Sequence, residues 1–229
     1  VAQYWLSCDD SSTGTVIVGN AISFITNNAT ATDGKVRYVS PLTANVRSLF
    51  VDAAAPDVTS QDGIELYFSC LQSSNTVNNG FSGGIGIASA DGTQGYVLGF
   101  TNEFYMKYHI VKWTGGGAST QLSKFGTFDN PFAGQDTNLF KQARFQILAN
   151  GTVRGRMWNR SNQTEPATWP LSAAGQPHIV GGKVVVFVQT GSSDTIVDYI
   201  GIGTNGDPAP TGPVGPSERW RSRLILTPW

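Results

Sequence analysis

Two groups of residues in this chain carry side chains suited to chemistry on a polar ligand. The first is Tyr105, Lys107, His109 and Trp113 in the run FYMKYHIVKW, where they alternate with Phe104, Met106, Tyr108 and Ile110. At the two-residue period of a strand, the first set shares one face and the second set the other. Tyr, Lys and His can abstract a proton near a neutralised carboxylate, and Tyr105, His109 and Trp113 could stack against a sugar ring. The plainer alternative is a solvated strand face whose aromatics cover the sheet. The second group, Arg144, Arg154 and Arg156, forms a small basic patch able to contact an acidic sugar or a phosphate. Exposed charge on one side of an antiparallel sheet is its ordinary explanation.

Carboxylate chemistry is poorly provided for. Glycoside hydrolysis needs two acids facing one bond. The glutamates are Glu65, Glu103, Glu165 and Glu218, and none has a partner carboxylate two or four residues away on a strand. Asp62 falls in the turn before the strand that carries Glu65. Asp198, between Ile196 and Ile200, is expected to point inward, and a buried carboxylate needs a partner. An arginine, a tyrosine hydroxyl or a backbone donor would serve, with a bound cation as the alternative. Glu165 opens an irregular segment and is expected to tie that loop to the preceding hairpin through an arginine. Trp158 and Trp169 read as packing residues, and His178, beside Pro177, as a surface loop residue. His109, His178, Cys8 and Cys70 show no zinc spacing. Asp9 and Asp10 read as turn formers, because a calcium loop of the EF-hand type would need paired ligands and a terminal glutamate. No catalytic residue, metal or cofactor is assigned.

The element that positions the arginines is a hairpin in the stretch Leu139–Trp169. A two-residue Asn150-Gly151 turn would set Phe145 beside Arg156 and mix apolar with charged side chains. A three-residue turn of Ala149, Asn150 and Gly151 separates them. Ala143, Phe145 and Ile147 then share a face with Val153, Gly155 and Met157. Arg144, Gln146, Arg154, Arg156 and Trp158 occupy the other. Gly151 is suited to the left-handed conformation this turn requires.

Further strands are expected at Thr15–Val18, Lys35–Ser40, Val46–Asp52, Gly63–Leu71, Ile85–Ala88 and Tyr96–Thr101. SSNTVNNGFSGG reads as a polar loop, and residues 114–138 as loops around one short strand. KVVVFVQT, almost continuously apolar, reads as a central strand buried on both faces. Cys70 ends an alternating strand on its apolar side and reads as a buried free thiol, with a Cys8–Cys70 bridge as the alternative. The glycines of GGIGIAS lie in a strand context with no helix to open a phosphate site.

Across 229 residues, the 27 glycines, 11% aromatic content and 14% charged content favour short strands and turns over helices. The net charge of −1 gives no bulk attraction to nucleic acid or to an anionic membrane, and no segment reaches transmembrane length. VAQYWLSCDD has neither a basic n-region nor an apolar h-region, so no signal peptide is expected in it. The reading is a single sandwich over residues 1–206, a Pro-rich linker at 207–216 and a docking tail at 217–229. The tail carries Trp220, Arg221, Arg223, Leu224, Ile225, Leu226 and Trp229, which would form an aggregation-prone patch unless covered. It is read either as an edge strand on its own sandwich or as strand addition to a neighbour.

Three patterns occur in order: ARFQILANGTVRGRMW, then TEPATWPL, then VDYIGIGTNG after the apolar strand. This order resembles the C-terminal half of concanavalin A-like, laminin-G-like jelly rolls of secreted bacterial and bacteriophage virion proteins. The matching positions are Arg144, Phe145, Val153, Trp158, Glu165, Pro166, Trp169 and Asp198. The resemblance covers residues 95–206, and the earlier strands only by pattern. It implies an all-β fold, an antiparallel β-sandwich of the concanavalin A-like jelly-roll type, which hosts lectins, enzymes and structural modules alike. Glycoside hydrolases similar to this sandwich share an E-x-D-x-x-E strand motif, which this chain lacks. The resemblance therefore implies a non-enzymatic bacteriophage structural protein of the tail, baseplate or fibre region, assembled in the host cytoplasm. Its partners would be other virion subunits, in a homo-oligomer or multi-copy assembly, and a host-surface polysaccharide. A secreted bacterial carbohydrate-binding module, a capsid decoration protein and a polysaccharide lyase are the alternatives.

Overall fold

The computed structural model describes residues 2–7, 29–32, 35–38, 58–72, 81–90, 93–101, 107–114, 118–125, 140–188 and 195–212. Its strands are, in chain order, β1 (Ala2–Ser7), β2 (Ala29–Thr32), β3 (Lys35–Tyr38), β4 (Ile64–Gln72), β5 (Phe81–Ala88), β6 (Gln94–Thr101) and β7 (Lys107–Thr114). They continue with β8 (Ala118–Phe125), β9 (Lys141–Ile147), β10 (Val153–Asn159), β11 (Leu171–Ala173), β12 (Lys183–Val188) and β13 (Thr195–Thr204). The larger sheet runs β11-β10-β9-β4-β13-β3-β2, with β1 also paired to β13, and the smaller runs β12-β5-β6-β7-β8. Every pairing is antiparallel. The chain is an antiparallel β-sandwich.

The core follows from strand periodicity. Leu66, Phe68 and Cys70 of β4, Phe145 and Ile147 of β9 and Ile200 of β13 face Ile85, Ile87, Leu98 and Ile110 of the smaller sheet, all nearly inaccessible. Burying large apolar side chains in this way contributes about 1.5–3 kcal/mol each relative to exposure. Cys70 is a buried free thiol, and its burial pushes its pKa up. At the rim of the same face the buried Lys141 donates to Asn159 Oδ1. Cys8 lies outside the described residues.

The hairpin of β9 and β10 has the three-residue turn. Leu148 N donates to Thr152 O and Gly151 N to Leu148 O, both at 2.9 Å, and Gly151 has φ 77°. Asn150 Oδ1 accepts from Thr152 N at 3.0 Å. The register pairs Val153 with Ile147, Gly155 with Phe145 and Met157 with Ala143, which segregates the two faces as the side-chain pattern requires. A Cβ on Gly151 would also stand 2.6 Å from the carbonyl oxygen of Gln176. Gly151→Ala is therefore expected to lower stability by about 1–3 kcal/mol, seen as a lower urea midpoint with unchanged slope.

Several expectations need correction. β12 is buried on both faces at Val184, Val185 and Val186, yet it ends the order of its sheet among the described residues. Its two-sided burial reflects cover on the outer face of the smaller sheet, where Val97 and Val111 are also buried. The FSGG of the supposed polar loop already belongs to β5, where Gly84 lets β6 approach closely. The short strand expected within 114–138 is the eight-residue β8. The Pro-rich segment begins against the sandwich, with Ala209 and Pro210 buried. Gly201 and Gly203 make room for it: a Cβ there would stand 2.3 Å from Pro210 O and 2.2 Å from Asp207 O. The expected strands Thr15–Val18 and Val46–Asp52, the Asp9-Asp10 turn and the whole tail at 217–229 lie outside the described residues.

Candidate functional site

Antiparallel registers stack the outward side chains of the larger sheet into cross-strand rows. One row runs Gly203, Glu65, Gln146, Arg154; the next runs Gly201, Tyr67, Arg144, Arg156; the third runs Tyr199, Ser69, Gln142, Trp158. The hairpin thus brings Arg144, Arg154 and Arg156 onto one face, as expected. They do not form a free basic patch. Arg144 donates through Nε and Nη2 to Glu165 at 2.7 and 3.1 Å, and through Nη1 to Glu65. Arg156 pairs with Glu165 through Nη2. Arg154 Nε donates to Gln146 Oε1 at 2.7 Å. The guanidinium carbons of Arg154 and Arg156 each stand 4.3 Å from the ring centre of Trp169. Glu165 thereby ties the return after β10 to the hairpin, through two arginines.

Electrostatics hold the cluster together. Burial alone would lower the Arg144 pKa, but the hydrogen bonds and charges of Glu165 and Glu65 outweigh it and raise it. Glu65 also accepts from Gln146 Nε2 and from Ala209 N, the latter at 3.2 Å. Tyr67 lies 4.8 Å below the Arg144 guanidinium and stacks on Tyr199 at 6.0 Å, with Gln142 Nε2 donating to both hydroxyls. Burial pushes Tyr199 up to about 12 and raises Tyr67 as well. Arg156 Nε is buried without a hydrogen-bond partner among the described residues.

Asp198 does not point into the core. The β13–β4 register shifts between Val197 and Tyr199, so Asp198 is the extra residue of a bulge, and Val197 and Ile200 both stay buried. Its carboxylate pairs with Arg160, an arginine partner as the sequence suggested.

The described part of the Tyr105–Trp113 stripe, His109 and Trp113, is not an open platform. His109 and Trp113 are 3% and 2% exposed. The Trp113 ring lies over Gly95, where a Cβ would come within 2.2 Å of it. Lys107 is on β7, its side chain outside the described set, as are Tyr105 and the tail residues Trp220, Arg221, Arg223, Leu224, Ile225, Leu226 and Trp229. His178 is half-buried, its Nδ1 3.1 Å from Ser60 Oγ. That hydroxyl also accepts from Ile179 N at 2.9 Å and is fully buried, so the pair is structural. No group of three or more potential metal ligands occurs among the described residues.

Beside the arginine cluster, where the chain leaves β10, a cavity of about 510 Å³ opens. Tyr108, Met157 and Trp158 wall it on the sandwich side. Asn162, Gln163, Thr164 and Thr168, with Pro166 and Pro170, wall it on the side of the return. The start of the return is shaped by reciprocal bonds: Asn159 N donates to Gln163 Oε1 at 2.8 Å, and Gln163 N to Asn159 O at 3.1 Å. Sequence reading missed this cavity, and Tyr67, Gln142 and Tyr199 as partners in the cluster. The alternation of Glu65, Tyr67 and Ser69 marked their shared face, but nothing local told which strand would lie beside them.

No family model matches the chain. No curated protein matches it in sequence. Among solved structures it is similar to lectin I-B4 of Griffonia simplicifolia in its metal-free form, at 10% identity and TM-score 0.55, covering 89% of this chain and 99% of that one. It is also similar to an alginate lyase solved with an alginate trisaccharide, at 12% identity and TM-score 0.53, covering 89% and 98%. A third is the GH43 BlXynB protein of Bacillus licheniformis, at 12% identity and TM-score 0.54, covering 86% of this chain and 38% of that one. At such identities the likeness establishes the fold, a lectin-like jelly-roll sandwich, and not the activity.

Proposed function

We propose that this chain is a non-enzymatic, glycan-binding jelly-roll protein that works as one copy among many in an assembly. The bacteriophage tail, baseplate or fibre region, built in the host cytoplasm, is the setting that its sequence resemblance favours. The observation that carries glycan binding is the cavity at the end of β10. The amide and hydroxyl side chains of the return complement the hydroxyls of a sugar, and Tyr108 and Trp158, 2% and 5% exposed, close the inner wall. A volume of about 510 Å³ suits a small-ligand site.

The state of Glu65 and Glu165 supports the non-enzymatic reading. Glu65 and Glu165 already accept from arginine, and Glu65 from an amide and a backbone donor too, so neither stands poised over an open position for attack or proton donation. The phenols of Tyr67 and Tyr199, raised by burial, are poorly matched to proton abstraction near neutral pH. His109, at 3% exposure, has little surface for a polysaccharide. The assembly role rests on the apolar, arginine-containing sequence from Trp220 to Trp229.

The test is a glycan array probed with the full chain, followed by prolonged incubation with any glycan retained, and a native mass measurement. Retention without shorter products, from a multimer, is the expected result. Released oligosaccharides would overturn the non-enzymatic reading, and a monomeric mass would overturn the assembly role.

A further inference from the structure

The cavity and the arginine cluster are neighbours, and their different chemistry decides what kind of glycan the site takes. Among the described residues, the cavity wall contains amides, hydroxyls, prolines, Met157 and aromatic rings, and no acidic or basic side chain. The arginines stand behind that wall. Pro166 marks the boundary: it lines the cavity, while its carbonyl oxygen accepts from Arg156 Nη1 on the other side. Arg144 and Arg156 spend their charge on Glu165, and Arg154 is held by Gln146 and by the face of Trp169.

A uronate or sulfated sugar in the cavity would bring a charge out of water with no counter-charge on its described wall, which is costly. An uncharged sugar meets no such penalty. Its hydroxyls find the side-chain amide of Asn162 and the hydroxyls of Thr164 and Thr168, over an inner wall closed by Tyr108 and Trp158, 2% and 5% exposed. Resting on the glycan-binding reading above, we infer that this cavity takes an uncharged glycosyl residue of a neutral polysaccharide, while the arginine–glutamate cluster holds the return in place and does not touch the ligand.

Thr168 is exposed on the return, so Thr168→Trp fills the cavity mouth without disturbing the core. The full chain and this variant are titrated calorimetrically with neutral probes (cellohexaose, xylohexaose, mannohexaose) and acidic probes (oligogalacturonate, oligomannuronate), at low and high salt. The expected result is binding of a neutral probe that salt barely changes, weakened about tenfold or more by Thr168→Trp. Neutral binding that survives Thr168→Trp overturns the placement of the site. Binding of an acidic probe, weakened by salt and insensitive to Thr168→Trp, overturns the inference while leaving glycan binding intact. Failure of every probe, together with a blank glycan array, overturns both.

Discussion

Glu65→Ala is expected to lower the stability of the sandwich by roughly 3–5 kcal/mol, the cost of breaking a buried ion pair from one side. The Glu65 side chain is 7% exposed and the Arg144 side chain 12%. Removing the carboxylate strips Arg144 of one of two anionic partners and leaves donors at Gln146 Nε2 and Ala209 N without their acceptor. Water has little access to replace them. Glu165→Ala removes the other partner of Arg144, but its side chain is 29% exposed, so water offsets more of the loss. The measurement is urea unfolding of both variants. A loss below about 1 kcal/mol for Glu65→Ala, the size of one ordinary hydrogen bond, would show that the cluster is not a structural keystone.

Gly86→Ala is expected to cost about 3 kcal/mol or more, at or beyond the upper end for overpacking. A Cβ on Gly86 would stand 1.8 Å from the carbonyl oxygen of Tyr96 and 2.7 Å from Val97 Cα. Both are backbone atoms of β6, so no rotamer change relieves the clash, and β5 and β6 must separate. Gly155→Ala provides the contrast. Its Cβ would meet the tip of Leu98 across the sandwich, with Cδ1 at 2.9 Å and Cδ2 at 3.0 Å. A leucine tip can swing, so the cost there should be nearer 1 kcal/mol. Comparing the thermal midpoints of the two variants tests the ranking, and an equal loss in both would contradict it.

The hairpin was legible because its two faces differ in chemistry: only one turn length keeps Phe145 and Ile147 apart from Arg154 and Arg156. The link from Glu165 to the arginines was legible for the same reason, since a lone acid beside a basic face has an obvious partner. What failed depended on contacts between distant segments. Asp198 seemed to alternate with its neighbours because a bulge has no signature in the hydrophobic pattern. Trp113 and His109 read as an open stripe because the cover on the smaller sheet comes from elsewhere in the chain. The same cover made Val184–Val186 look like the middle of a sheet when β12 ends it among the described residues. The cavity was the least legible feature, because its walls join Tyr108 to residues 49 to 62 positions later.

The glycines at 201 and 203 have a mechanical consequence. They seat Asp207–Pro210 across the outer rows of the larger sheet, where Ala209 N is pinned to Glu65. A pulling force on the chain beyond residue 212 would therefore enter the sandwich at that anchor, through the ion-paired rows of β4 and β9, before it reached the end of β13. The sandwich would be loaded from its face, with the Ala209–Glu65 hydrogen bond first under tension and the Glu65–Arg144–Glu165 chain behind it.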